Sequence, residues 1–454
     1  MSIARGSQRL AGLLLLGAVA AARGSEGRDV SLTVYNTDLG AVRDERDLPL
    51  ETGLDTLRFT DVPARIDPTS VHLEAVDGKP LQVLEQNYAY DLVSASAVLD
   101  RYLDRAVRIR DEDGEIYEGI LQSHAGDQIL MAPDTGGVVI LRKDRIAEIR
   151  CPELPQGLTT RPTLIWLLST DRGGPRRARV SYLTQGLSWT ARYVAVVNEG
   201  ETEVLLGAWV NVTNECGADF PGARLQLVAG DVHRVTERPV APRMKGAETM
   251  AMMDGGFEEE AFFEYHLYTL ERRTTLSDRE TKQISLFPPA RTEVEKEYEF
   301  ASWKGNKIRV VLSLVNSRER GLGLALPAGI VRVYKADGEG RLQFVGEDRI
   351  DHTPKDEEVR LFLGEAFDLV AERTVKDQRR LSDRVREQDI EISLRNRKDS
   401  EGVEIIVEEY LGGDWTILRS SVPYEPIDAQ KVEFRVRVAA GEEGILSYTV
   451  RYQY

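Results

Sequence analysis

Cysteine is nearly absent. Only Cys151 and Cys216 occur among 454 residues, so disulfides are not what holds the chain together, and a chain this long needs no such staples. The two either form one bridge or lie apart as small buried residues, because spacing does not decide pairing. Histidine is also scarce: His72, His124, His233, His266 and His352 are scattered singly. There is no HExxH, no GxxxxGK[ST], no CxxC pair and no Rossmann glycine pattern, so no sequence signature assigns a catalytic residue or implies a cofactor. An excess of positive charge is missing too. Lys and Arg number 59 against 75 Asp and Glu, a net charge of −16, which argues against a protein that grips phosphate backbones; no nucleic-acid partner is expected. Beyond residue 22 no apolar run approaches the ~20 residues a membrane-spanning helix requires, so the mature chain is expected to have no transmembrane segment.

What the first residues do contain is an address. Arg5 and Arg9, with no acid, precede the apolar run Leu10–Ala22, and alternating alanines at 18, 20 and 22 offer cleavage sites. This is the pattern of a secretory signal peptide over residues 1–22, and it predicts an exported protein. Thereafter the dominant signal is period-two alternation. Val30 to Tyr35, Thr56 to Phe59 and Val71 to Ala75 each read as half-buried antiparallel strand. Near the C-terminus Val432, Phe434, Val436 and Val438 alternate with Lys431, Glu433, Arg435 and Arg437. Leu446, Tyr448, Val450 and Tyr452 continue the pattern after Gly441–Gly444, which predicts a hairpin. The terminal run is read as the last strand of a sandwich, since earlier strands carry too many charges for an outer-membrane barrel.

Residues 100–150 hold five short strands with tight turns, the spacing of a small SH3-like or Sm-like barrel inserted as a unit. Asp111, Asp113 and Glu115 within it lack EF-hand spacing and are read as a hairpin tip. Pro239 to Glu260 offers no periodicity and contains Met244, Met250, Met252 and Met253. Thioethers suit Cu(I), but no histidine or cysteine joins them, and a flexible tether is the favoured reading. Gly186-Leu-Ser-Trp-Thr190 starts like a nucleophile elbow and lacks its final glycine. Asp351, His352 and Glu357 concentrate titratable groups in one stretch and stand as metal or proton-relay candidates, but adjacent residues in a strand point to opposite faces, and a polar loop between hairpins is the preferred reading. Trp189 and its aromatic neighbours either fill a core or form a platform for sugar rings, as do Trp166, Trp209, Trp303 and Trp415; core packing is favoured.

The segments Val180–Val194, Gly207–Asn214, Leu225–Asp231, Tyr265–Leu270, Thr274–Leu276, Thr281–Gln283, Leu326–Lys335 and Asp351–Glu357 together resemble the bacterial domain of unknown function 4139 family, some of whose members are labelled mucoidy-inhibitor-like. The resemblance runs through most of the chain from about residue 30. It departs where other members carry a helical coiled-coil segment in place of the small barrel, and Cys216 stands where a small polar residue is more usual. The family has no agreed activity, so no catalytic residue carries over. What the resemblance implies is an exported β protein, periplasmic in a Gram-negative bacterium, connected with the cell envelope or its exopolysaccharide.

The expected fold is therefore mainly β, with antiparallel β-sandwich-like regions and an inserted SH3-like/Sm-like barrel. Its divisions are a signal peptide (1–22), an N-terminal β region (28–95), the barrel (100–150), a β-sandwich region (155–238), a Met/Gly/Glu-rich linker (239–262) and a C-terminal β-sandwich region (263–454). The expected function is a non-enzymatic cell-envelope scaffold or binding protein with a protein or glycan partner. The alternative is an envelope hydrolase acting on a glycan or peptide, metal-assisted around Asp351, His352 and Glu357.

Overall fold

The computed structural model describes residues 27–78, 81–90, 94–153, 155, 158–230, 257–262 and 265–453. The signal-peptide expectation, His233 and the linker methionines lie outside them. The chain is mainly β, with 65% in strands and 4% in helices, arranged as several antiparallel sheets and one curled half-barrel.

Three sheets share the first core. An eight-stranded sheet runs in the order 257–262, 265–270, 220–229, 29–35, 40–50, 174–184, 72–75, with 274–276 paired beside 220–229. A three-stranded sheet places Thr163–Thr170 between Gly53–Thr60 and Gln82–Ala89. A five-stranded sheet follows the order 280–293, 203–214, 187–197, 329–336, 342–350. Strand alternation turns Leu32, Val180, Leu225, Trp166, Trp189 and Val333 into one buried cluster. Sheets do not follow chain order: strand 29–35 of the expected N-terminal region lies parallel to 220–229 of the next. The expected linker over 239–262 also overlaps a strand, Phe257–Phe262, which pairs with Tyr265–Leu270.

The half-barrel interrupts the connection between two paired strands. Gln82–Ala89 leads into it and Thr163–Thr170 leaves it, yet the two are antiparallel neighbours, with Ala89 opposite Thr163. Its strands run 146–150, 106–111, 116–123, 128–133, 139–142, around Ile109, Leu121, Ile129 and Met131. The bend requires glycine at 119, where a Cβ would come within 2.2 Å of the Ala132 carbonyl oxygen. Tyr102 ties the ends of the insert together: its hydroxyl donates to the Glu153 carbonyl at 2.6 Å and accepts from the Glu153 N–H at 3.0 Å. Asp111 to Glu115 is a hairpin tip, with the Glu115 N–H donating to Asp111 Oδ1 at 2.9 Å.

The second core is a nine-stranded sheet folded over on itself, in the order 414–420, 443–453, 385–396, 358–380, 307–315, 295–301, 403–410, 431–438, 424–426. Its two wings face each other, and Phe434 stacks on Tyr448 with ring centroids 5.2 Å apart. The expected C-terminal hairpin is therefore corrected. Lys431–Val438 pairs with 403–410, Glu443–Gln453 pairs with 385–396, and the intervening glycine turn is a corner between wings. Alternation marks a strand and its buried face, but a sandwich corner leaves the same pattern as a hairpin turn.

Three buried asparagines close such corners. Asn214, Asn316 and Asn396 are fully buried where a strand ends and the chain crosses to the opposite sheet or wing. The Nδ2 of Asn214 donates to the carbonyls of Ala218 and Leu276, that of Asn316 to Leu324 and Pro354, and that of Asn396 to Glu401 and Val438, at 2.6–3.3 Å. Each Oδ1 accepts one backbone N–H, from Cys216, Gly323 and Lys398 respectively. Backbone groups at a buried corner have no ladder partner, and a short amide with donors and an acceptor supplies one. Replacing any of the three with alanine strands three backbone groups and is expected to cost about 2–4 kcal/mol of stability in urea unfolding. Asn87→Ala, on the exposed strand Gln82–Ala89, is expected to stay within about 0.5 kcal/mol.

Candidate functional site

The outer face of the eight-stranded sheet carries an organised polar surface. In Asp29–Tyr35 the apolar Val30, Leu32 and Val34 turn to the core, which leaves Ser31 and Thr33 outward. The same alternation turns out Ala41 and Arg43 beside buried Val42, Ser181 and Leu183 beside Tyr182, Arg224 and Gln226 beside Leu225, and Thr269 beside Tyr268. Strand register assembles these residues into two rows across five strands. One row reads Arg224, Ser31, Arg43, Ser181; the other reads Thr269, Gln226, Thr33, Ala41, Leu183. With strands ~4.8 Å apart, the longer row spans ~19 Å. The rows line a groove of about 620 Å3, to which Ser70 adds a further hydroxyl.

Hydrogen bonds orient the floor. Thr33 Oγ1 donates to Gln226 Oε1 at 3.4 Å, and Gln226 Nε2 donates to Thr269 Oγ1 at 3.2 Å, a chain across three strands. Ser70 Oγ donates to the Asp67 carbonyl at 2.7 Å and accepts from the Leu183 N–H at 2.8 Å. Among the described residues the groove lining includes two arginines and no carboxylate, in a chain where acids outnumber bases. The carboxylates stand in the next row, where Asp29, Glu45, Arg179 and Glu74 align across four strands. Glu45 accepts from Arg179 Nε at 2.8 Å and from Arg43 at 2.9 Å. Asp29 meets Arg273 at 2.8 Å and Arg224 at 3.4 Å. Arg43 and Arg224 are thus each held from one side and exposed on the other. The Arg273 hydrogen bond holds the Asp29 carboxyl below its ordinary value, and the Arg179 hydrogen bond does the same for Glu45 against partial burial.

Beneath this face, fully buried Asp44 accepts from Arg28 at 2.8 Å and Arg46 at 2.7 Å. The Arg46 guanidinium lies 4.1 Å from the Phe59 ring centre and donates to the Thr60 carbonyl, joining the eight-stranded sheet to the three-stranded one.

The residues singled out in the sequence lie elsewhere. Asp351, His352 and Glu357 are exposed on a loop gathered by Asn316, whose N–H donates to the Glu357 carbonyl. His352 Nδ1 accepts from the Ala328 N–H at 3.1 Å, and its Nε2 lies 3.4 Å from the Asn36 amide. Among the described residues no group of three or more His, Cys, Asp or Glu side chains is placed to hold a metal ion, so the metal expectation at Asp351, His352 and Glu357 finds no ligand set. The loop instead serves a corner. Gly186 is likewise a corner, between the eight- and five-stranded sheets, with φ +85° and no room for a Cβ beside Cys216. Trp166 and Trp189 are core residues that donate to Gln86 and to the Val228 carbonyl, whereas Trp209 and Trp303 are 44% and 41% exposed.

Of the two readings left open for the cysteines, the structure has the unpaired one. Cys151 and Cys216 are unpaired, because Cys151 packs beside the half-barrel core while Cys216 is buried in the first core. Burial pushes the Cys216 thiol up to about 12 and raises Cys151 too, so neither is an activated nucleophile.

Comparison with protein-family models and with curated proteins finds no match.

Two outcomes follow from this geometry. Alkylation of the native protein with iodoacetamide is expected to spare Cys216 and to modify Cys151 slowly, while unfolding without reductant exposes both to reaction; a bridge would block both. Because Asp29 and Glu45 titrate below their ordinary values of 3.8 and 4.5, their pairing stabilises the fold fully above those values and is lost as pH falls through the lowered ones. Urea unfolding across acid pH is therefore expected to show a steeper loss of stability in the wild type than in Arg179→Gln/Arg273→Gln.

Proposed function

We infer that this is an exported, non-enzymatic binding protein of the cell envelope, periplasmic in a Gram-negative bacterium, whose partner engages the outer face of the eight-stranded sheet. The observation that carries this reading is the groove, where hydroxyl, amide and guanidinium groups from separate strands converge on one surface. Sheet formation occupies the backbone groups beneath that face, so recognition there falls to side chains whose positions the ladder fixes. The leader-like start of the sequence supports export, and the resemblance to mucoidy-inhibitor-like proteins supports an envelope setting.

The envelope-hydrolase alternative draws less support. Its candidates Asp351, His352 and Glu357 surround a loop held by Asn316, and His352 receives a backbone N–H.

The reading is tested by cross-linking in living cells with an epitope-tagged full chain, followed by identification of the captured protein or glycan against an export-matched control. Ser31→Trp/Thr33→Trp fills the groove from the outward face. A reproducible envelope adduct that this variant loses, while its unfolding curve stays close to wild type, is the expected result. Retention of the tagged protein in the cytoplasm, or adducts indifferent to the filled groove, overturns it.

A further inference from the structure

We propose that the groove on the eight-stranded sheet binds an anionic oligosaccharide, laid across the strands with its hydroxyls on the Ser31, Thr33, Ser181 and Gln226 floor and its negative charge on Arg43 and Arg224. This rests on the binding-protein reading and names the ligand class.

Three features select that class. First, the floor offers hydroxyls and an amide spread over five strands, which suits a ligand that itself carries many donors and acceptors at short intervals. An extended peptide is recognised chiefly through its backbone, at a sheet edge with open N–H and C=O groups, and the centre of this sheet has none to give. Second, among the described residues the lining supplies charge of one sign only. Arg43 and Arg224 lie in one row on either side of Ser31, two strand spacings or ~10 Å apart. Glu45 and Asp29 meet one nitrogen of each from the neighbouring row, which orients the guanidinium and leaves its outer edge open. A planar fork of donors held in this way matches a carboxylate or a phosphate. Third, among the described residues no aromatic side chain stands outward in the groove. Tyr182 contributes to the lining from a strand position whose ring is turned to the core, so affinity here comes from hydrogen bonds and charge.

The charge could be carried by a uronate carboxylate or by a sugar phosphate, and matched probes separate the two. Titration calorimetry of the full mature chain would use hexagalacturonate against maltohexaose, and pentamannosyl phosphate against mannopentaose, with oligoglutamate as a polyanion without sugar hydroxyls. At least one anionic glycan is expected to bind about tenfold or more tightly than its neutral counterpart, and more tightly than oligoglutamate. Arg43→Gln/Arg224→Gln is expected to erase that preference, and added salt to reduce it. Ser31→Val/Ser181→Val is expected to weaken neutral and anionic glycans alike. Both pairs face solvent, so unfolding curves close to wild type accompany either result.

Equal affinity for neutral and anionic glycans overturns the charge assignment and leaves the binding-protein reading in place. Oligoglutamate binding as well as any glycan reduces the groove to a polyanion contact and overturns the oligosaccharide assignment. If no glycan binds while cells still yield a groove-dependent protein adduct, the ligand class falls alone. If neither is seen, both readings fall.

Discussion

The architecture depends on satisfying the backbone wherever the chain leaves one layer for another. A β-sandwich places its crossings at the rim of the core, where carbonyls and N–H groups are buried but have lost their ladder partners. Asn214, Asn316 and Asn396 solve this problem in the same way, each binding one carbonyl and one N–H of its own crossing together with a carbonyl from a distant part of the chain, Leu276, Pro354 and Val438 respectively. After each one the chain enters a strand that runs parallel to an earlier strand: 220–229 beside 29–35, 329–336 beside 187–197, and 403–410 beside 295–301. Those parallel pairs stitch successive parts of the chain together. Antiparallel neighbours need only a tight turn, whereas a parallel neighbour requires a crossing, and the asparagines stand at those crossings.

A second constraint joins the two cores. Glu358–Arg380 is a single strand of 23 residues that bends at Gly364, with Val359 and Leu361 in the first core and Leu369 and Ala371 in the second. Its partner Lys307–Val315 divides the same way, with Leu312 and Leu314 in one core and Ile308 in the other. Glu201 bridges Lys296 and Lys335 across the same junction, which places the five-stranded and nine-stranded sheets under a shared ion pair.

Much of this was legible in the sequence because alternation reports burial one strand at a time. Lys431–Val438 shows it fully, and in the half-barrel four of the five strands pair with their neighbours in sequence, the last, 146–150, returning to pair with the first. What alternation does not report is which strand lies next to which. The C-terminal strands looked like a hairpin because the residues between them suit a tight turn, and nothing local distinguishes that turn from a corner between wings. The groove was hidden for the same reason. Ser31, Arg43, Ser181 and Arg224 are unremarkable outward residues in their own strands, and only long-range register aligns them; Thr33 and Gln226 are 193 residues apart. Asp351, His352 and Glu357 drew notice because they are close in sequence, yet that closeness serves a loop around Asn316.

Rigidity is what gives the aligned rows chemical meaning. An exposed arginine on a loose strand gains little from meeting an anion, because ordering its side chain offsets much of the attraction. Here the strand beneath each arginine is fixed and a neighbouring carboxylate orients one side of the guanidinium. Glu45 and Asp29 hold Arg43 and Arg224, and strand 40–50 is itself pinned from below by Asp44, whose buried charge is matched by Arg28 and Arg46. Arg46 in turn rests on Phe59 of the sheet behind. An isolated carboxylate at the Asp44 position would be costly to bury, so its pairing with two guanidiniums fixes the strand in one place. The outer face inherits that order, and the strands hold the groove's hydroxyl, amide and guanidinium groups in register.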